Sequence, residues 1–109
     1  MIDSVTVIYT FRNRRVEQLL HSVNSIRNHE NAYNVNFIVV DYGSSEPFMS
    51  QLRDACEVAK IKLIRSETQG FPWSRGIAMN IAVRHVETDA FISTDIDMIF
   101  ATDIISAVM

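Results

Sequence analysis

The sequence predicts an α/β fold: an open, mostly parallel sheet with helices on both faces. Three observations carry this. Strand-like and helix-like segments alternate along the chain. The strand-like runs are short, β-branched and continuously apolar, as in strands covered on both sides. The segments between them repeat apolar residues every three or four positions, which builds one apolar stripe on a helix. At 109 residues the chain forms one domain at most.

The elements follow in order. Val5-Thr6-Val7-Ile8-Tyr9-Thr10 has the composition of a buried parallel strand. Asn13 is expected to cap the first helix, whose stripe is Val16, Leu19, Leu20, Val23 and Ile26. A polar, turn-rich stretch from Asn28 to Asn34 leads to a second strand, Phe37-Ile38-Val39-Val40. Asp41-Tyr42-Gly43-Ser44-Ser45 closes it. Pro47 suits the first turn of a second helix, lined by Phe48, Leu52, Cys56 and Ala59. Ile61-Lys62-Leu63-Ile64 is the third strand, and Glu67 to Trp73 a loop containing Gly70 and Pro72. Ser74 caps a third helix in which Ile77, Ala78, Ile81 and Ala82 dominate. Phe91-Ile92-Ser93 is the fourth strand, and Thr102 or Asp103 starts a helix that stops at Met109 in mid-pattern. That ending is the pattern of a truncated domain.

Composition narrows the function. Hydrophobic residues at 48% and charged residues at 21% place the chain among ordinary globular domains. A net charge of −3 leaves no basic stripe to neutralise a phosphate backbone, which argues against nucleic acid as partner. The single cysteine, Cys56, excludes an internal disulfide or a Cys-rich zinc site, and its apolar helical setting makes it a buried thiol. No charged segment followed by an apolar run opens the chain, and no stretch reaches membrane-span length. The expected location is cytoplasmic.

Right-handed crossovers between parallel strands bring the loops after all four strands to one sheet edge. Phe11–Arg14, Asp41–Ser45, Glu67–Trp73 and Asp95–Asp97 therefore belong to one candidate site. In Ser93-Thr94-Asp95-Ile96-Asp97, a strand end delivers two carboxylates one residue apart, a donor pair suited to a hard divalent cation. Such pairs are also common as caps and surface acids. Arg12 and Arg14 flank a helix start and can pair with phosphate or stack on a base; the plainer reading leaves both in solvent. Asp41 either accepts from a ribose or organises its own turn. Trp73 and Arg75 beside a helix start can hold a base and a phosphate, or Trp73 can seal the helix against the core. Asn80 is expected to be buried and to organise neighbouring loops. His21, His29 and His85 lack metal-ligand spacing, and there is no glycine-rich phosphate loop.

Together these stretches resemble the nucleotide-binding half of GT-A glycosyltransferases of family 2 type. Phe11-Arg12-Asn13-Arg14 is similar to the opening of the β-1,4-galactosyltransferase and chondroitin-polymerase-like groups. Trp73-Ser74-Arg75 through Met79-Asn80 resembles their aromatic-x-Arg segment, and Thr94-Asp95-Ile96-Asp97-Met98-Ile99 their Asp-x-Asp strand end. The pieces fit in order across nearly the whole chain. The resemblance implies a metal-dependent glycosyltransferase donor region using a nucleotide-sugar, a UDP-sugar first, with a saccharide or other acceptor. Thr10, Phe11, Arg12 and Arg14 would line the nucleotide, Asp41 would contact base or ribose, and Trp73 and Arg75 would hold the base. Asp95 and Ile96 would lie at the ribose, and Asp95 and Asp97 would hold Mn²⁺ or Mg²⁺. Thr10 stands where the family usually has proline, and Tyr42 where it often has a second acid. The acceptor half and the catalytic base would lie outside this chain, and the face left by truncation would favour self-association. Two rivals are a nucleotide-binding pseudo-enzyme and a phosphohydrolase using the Asp pair. The second is disfavoured, because such enzymes place the pair after the first strand.

Overall fold

A computed structural model describes residues 2–109. Four strands, β1 (Ser4–Phe11), β2 (Asn34–Tyr42), β3 (Lys62–Ser66) and β4 (Ala90–Ser93), form one sheet in the order β3-β2-β1-β4. All three ladders are parallel. The helices between and after them are α1 (Val16–Arg27), α2 (Phe48–Ala59), α3 (Arg75–Val83) and α4 (Ile104–Val108). The predicted α/β class and alternation are therefore the observed ones.

Period-two alternation divides the sheet into two covered faces. Val5, Val7, Tyr9 and Phe11 of β1 pack with Leu19, Val23 and Ile26 of α1, Leu52 and Cys56 of α2, and Ile105 of α4. On the opposite face Ile8, Ile38, Val40 and Tyr42 pack under Ala78 and Ala82 of α3. The small alanines let α3 lie close to the sheet. Ile77, expected on that stripe, is 52% exposed instead. Burial drives the Cys56 thiol up to about 12, so it is inert, as its apolar setting implied. Tyr9 is likewise pushed up to about 12 by burial, and its hydroxyl is satisfied by Ser22 Oγ at 2.8 Å.

The strand order fixes where a site can form. The chain steps outward from β1 to β2 to β3, then returns across the sheet to the far side of β1. A crossover of the same hand running the opposite way must lie on the opposite face, which is why α3 alone covers the second one. The reversal opens a crevice between the carboxyl ends of β1 and β4, where open α/β sheets bind ligands.

Two local expectations are corrected. Asn13 does not cap α1: the N-cap is Arg15, which makes no side-chain capping bond. Asn13 adopts φ +50° and reaches across to the next loop. Pro47 sits one position earlier than expected, at the N-cap of α2. Ser74 does cap α3, accepting from the Ile77 amide at 3.2 Å, and Asp103 caps α4 through the Ser106 amide at 3.2 Å.

Candidate active site at the sheet edge

The loop after β4 is built to present its acids. The Thr94 amide donates to Ile8 O at 3.1 Å, which carries the ladder with β1 one residue past the strand. The Met98 amide closes a turn on Asp95 O at 3.2 Å, and the Phe100 amide is held by Ser25 Oγ at 3.0 Å. Ile96 is 3% exposed and locked in the core. With the central residue facing inward, Asp95 and Asp97 project outward on either side of it. Ile96 thus anchors the turn, and its side chain offers nothing to a ligand except a place on the cleft wall.

Thr10, Arg14, Trp73, Arg75, Asp95, Ile96 and Asp97 line one cleft of about 280 Å³. The crevice expected from the strand order therefore gathers residues from the ends of β1 and β4 and the start of α3. Arg75 Nε lies 3.5 Å from Asp95 Oδ1, and both side chains are about half exposed, so water shares this pair. Arg14 is exposed and touches only Gln18 Oε1, at 3.1 Å. Trp73 is 46% exposed and meets the Tyr42 ring edge-on, with centroids 5.8 Å apart. It neither seals the core nor stands free.

Two residues expected at the ligand, Phe11 and Asp41, face elsewhere. Phe11 is 1% exposed and follows Val5, Val7 and Tyr9 onto the α1 side, so its ring is core and does not line the cleft. Asp41 is also 1% exposed. Its Oδ1 accepts from the Ser44 amide at 2.9 Å and its Oδ2 from Arg65 Nη1 at 2.8 Å, so the turn-organising reading describes what this carboxylate does. Arg12 lines a neighbouring cavity of about 300 Å³ with Thr10, Arg14 and Trp73, while it donates from Nη1 to Phe71 O and from Nη2 to Thr68 O, both at 2.7 Å. Asn80, expected to be buried, is exposed on α3.

The rim is cross-tied. Asn13 Oδ1 accepts from the Ser45 amide at 2.8 Å while its own amide donates to Ser44 Oγ at 2.9 Å, joining the loops after β1 and β2. Arg65 continues to Ser44 O at 2.8 Å and to Glu67 Oε1 at 3.2 Å. That contact holds Glu67 below the usual carboxylate range. Gly43 has φ +82°, and a Cβ there would lie 2.5 Å from the Gln69 backbone nitrogen, so the loops after β2 and β3 touch backbone to backbone. Sequence reasoning did not single out Arg65. The available signal was its position as the first residue after the expected strand Ile61–Ile64, where the register sets it opposite Asp41.

The chemistry of the donor set can be judged from these side chains. Among the described residues no three His, Cys, Asp or Glu side chains gather as a metal cage. Asp95 and Asp97 alone fit a hard cation that takes its remaining oxygens from phosphate and water. Two guanidiniums and two carboxylates leave the cleft neutral. A divalent ion would bring it to about +2, the charge that matches a diphosphate diester. No helix among the described residues is long and apolar enough to cross a membrane.

The sequence profile described as Glycosyl transferase family 2 matches residues 6–109. No curated protein sequence matches the chain. Among solved structures, the mannosyltransferase PcManGT from Pyrobaculum calidifontis, in complex with GDP-Man and Mn²⁺, superposes with a TM-score of 0.68 at 22% identity. The alignment covers 91% of this chain and 29% of that one. TarS residues 1–349 from S. aureus superposes with a TM-score of 0.75 at 17% identity, over 96% of this chain and 31% of that one. The chain thus spans about a third of the length of either structure.

Proposed function

The chain belongs to glycosyl transferase family 2, and on that premise we propose that its cleft binds the nucleoside diphosphate of a sugar donor together with Mn²⁺ or Mg²⁺. One observation carries the reading. The acids after β4, the arginines after β1 and at the start of α3, and a half-open indole share one cleft at the strand reversal. In this reading the chain is the donor-binding portion of a GT-A domain, and sequence outside it builds the acceptor side. Phe11-Arg12-Asn13-Arg14 and Trp73-Ser74-Arg75 support the β-1,4-galactosyltransferase-like subgroup.

Each residue then has a physical task. Asp95 and Asp97 hold the cation, and Arg14 and Arg75 bind the phosphates. The N-terminus of α3, capped by Ser74, faces the same anion with its positive end. Trp73 supplies a flat apolar wall for the base. Transfer replaces the bond between the anomeric carbon and the β-phosphate oxygen with one from that carbon to the acceptor nucleophile, which gives its proton to a general base, and the β-phosphate oxygen keeps the electron pair of the broken bond. The cation, when bound, neutralises the charge that develops there. Arg14 and Arg75 stabilise the same charge and keep the leaving group in place.

Uridine diphosphate is the nucleotide of this proposal, resting on motif likeness. The Mn²⁺ complex of the mannosyltransferase carries GDP-Man, so GDP is the necessary comparison. Calorimetric titration with UDP, GDP and CDP, each with and without Mn²⁺, is the test. Binding of UDP that requires Mn²⁺ is expected. Preference for GDP would change the donor, and no metal-dependent binding of any of the three would overturn the proposal.

A further inference from the structure

Arg12 borders a cavity with Thr10, Arg14 and Trp73, yet its hydrogen bonds go to the rim. Both terminal nitrogens of Arg12 are spent on carbonyls of the loop between β3 and α3, Phe71 O and Thr68 O. Its guanidinium carbon also lies 5.6 Å from the centroid of the Tyr42 ring, within cation–π range. The other neighbour of Tyr42 is the Trp73 ring, 5.8 Å away and nearly perpendicular. Arg12, Tyr42 and Trp73 therefore form a continuous chain of contacts from the end of β1 to the cleft wall. Apart from Arg12, the loop is held at its start, by the Thr68 amide on Ser66 O at 2.9 Å, by Arg65 on Gln69 Oε1 at 3.3 Å and by the close approach of Gly43; beyond Gln69 it is open. It has no regular structure, its Phe71 is 60% exposed, and Gly70 has open space around it. The Phe71 amide returns to Thr68 O at 2.9 Å, so the clamp grips both ends of a single tight turn.

We infer that Arg12 is a positioning residue. It fixes the turn Thr68–Phe71 and, through Tyr42, the angle at which Trp73 faces the cleft, leaving phosphate to Arg14 and Arg75. What Trp73 is positioned toward rests on the donor-site reading above; the clamp itself does not. A planar fork is required, because two carbonyls three residues apart are met by two parallel N–H vectors. A lysine ammonium meets them as a single point charge.

Trp73 is the sole tryptophan, so its emission reads the clamp with no ligand present. In Arg12→Ala the far-UV circular dichroism should be unchanged. The acrylamide quenching constant of Trp73 should rise about twofold, since the indole is 46% exposed when clamped and nearly free once the loop opens. Arg12→Lys should behave like the alanine variant although the charge is kept. In titrations, Arg12→Ala should weaken uridine and UDP by the same factor, whereas Arg14→Ala should weaken UDP alone. Unchanged quenching in folded Arg12→Ala overturns the inference. So does an Arg12→Lys variant with normal quenching and normal UDP affinity, which would mark a plain phosphate contact. Should Arg12→Ala lose its circular dichroism signal, the lysine variant, with stem and charge intact, carries the same test. Failure of every form to bind nucleotide would remove the donor reading while the quenching result still decides the role of Arg12.

Discussion

Replacing Asp41 by asparagine separates a structural anchor from a ligand. The change is isosteric and leaves the backbone free to stay where it is. Oδ1 can still accept from Ser44, so that bond is kept. The amide nitrogen then occupies the Oδ2 position and points its hydrogens at Arg65 Nη1, donor against donor, where the structure has a 2.8 Å charge-assisted bond. The Asp41 side chain is 1% exposed and that of Arg65 21%, so the carboxylate is shielded while the guanidinium can recover some water. Arg65 also keeps Ser44 O and Glu67. A hydrogen bond to a charged group contributes about 1.5–3 kcal/mol, and partial rehydration of Arg65 puts the loss at about 2 kcal/mol. At roughly 4–8 °C per kcal/mol for a domain near this size, Tm should fall by about 10–15 °C. Urea denaturation followed by circular dichroism measures the stability. A double-mutant cycle with Arg65→Met isolates the pair, with an expected coupling of about 1.5–3 kcal/mol. Stability within about 0.5 kcal/mol of the parent, combined with weakened nucleotide binding, would show that Asp41 is a ligand and refute the anchoring role.

The other expectations concern the cleft and its rim. Asp97→Ala should abolish Mn²⁺-dependent nucleotide binding with no change in Tm, because the side chain is exposed and makes no internal bond; unchanged affinity in calorimetry would sink the metal assignment. Trp73→Ala should weaken nucleotide binding by roughly 1–3 kcal/mol if the ring stacks on the base. A fall in Tm with no specific loss of affinity would return Trp73 to a packing role. Gly43→Ala places a methyl 2.5 Å from backbone at a φ of +82°. The left-handed conformation alone costs about 1–2 kcal/mol, and because the obstructing atoms are backbone, the loop after β3 must also move. Thermal melts should show a loss larger than the conformational cost, and a loss below it would mean the loops separate freely.

Much of this architecture could be read from local pattern. The four apolar runs fall within or across the four observed strands, and the stripes of α1 and α2 predicted their buried faces. Strand ends were less legible. β2 begins at Asn34, three residues before its apolar run, because pairing with Ser4 and its neighbours extends it through exposed Asn34 and Asn36. The place of Phe11 follows from strand alternation: four odd-numbered residues of one strand share a face, so its ring joins Val5, Val7 and Tyr9. The roles of Asn13, Arg12 and Arg65 were illegible for another reason. Each bonds to a loop distant in sequence, and no local propensity encodes such a partner. The acids of the cleft were found because a strand terminus and a two-residue spacing are local features, whereas the cross-ties that shape the rim are tertiary.

The strand order also sets a schedule for assembly. β4 has a single ladder, with β1, so its first pair joins Val5 to Ala90 across most of the chain. β1, β2 and β3 pair between neighbours in sequence and need only short loop closures. During synthesis the three-stranded part can collapse as soon as β3 emerges, while the strand carrying Asp95 and Asp97 arrives last and closes the longest loop. An incomplete or partly opened chain therefore keeps most of its core yet holds no pair of acids beside its arginines. On the proposed donor-site reading, competence to gather a cation and a diphosphate becomes a late checkpoint of folding, and loss of β4 from the sheet edge would silence the cleft well before the core melts.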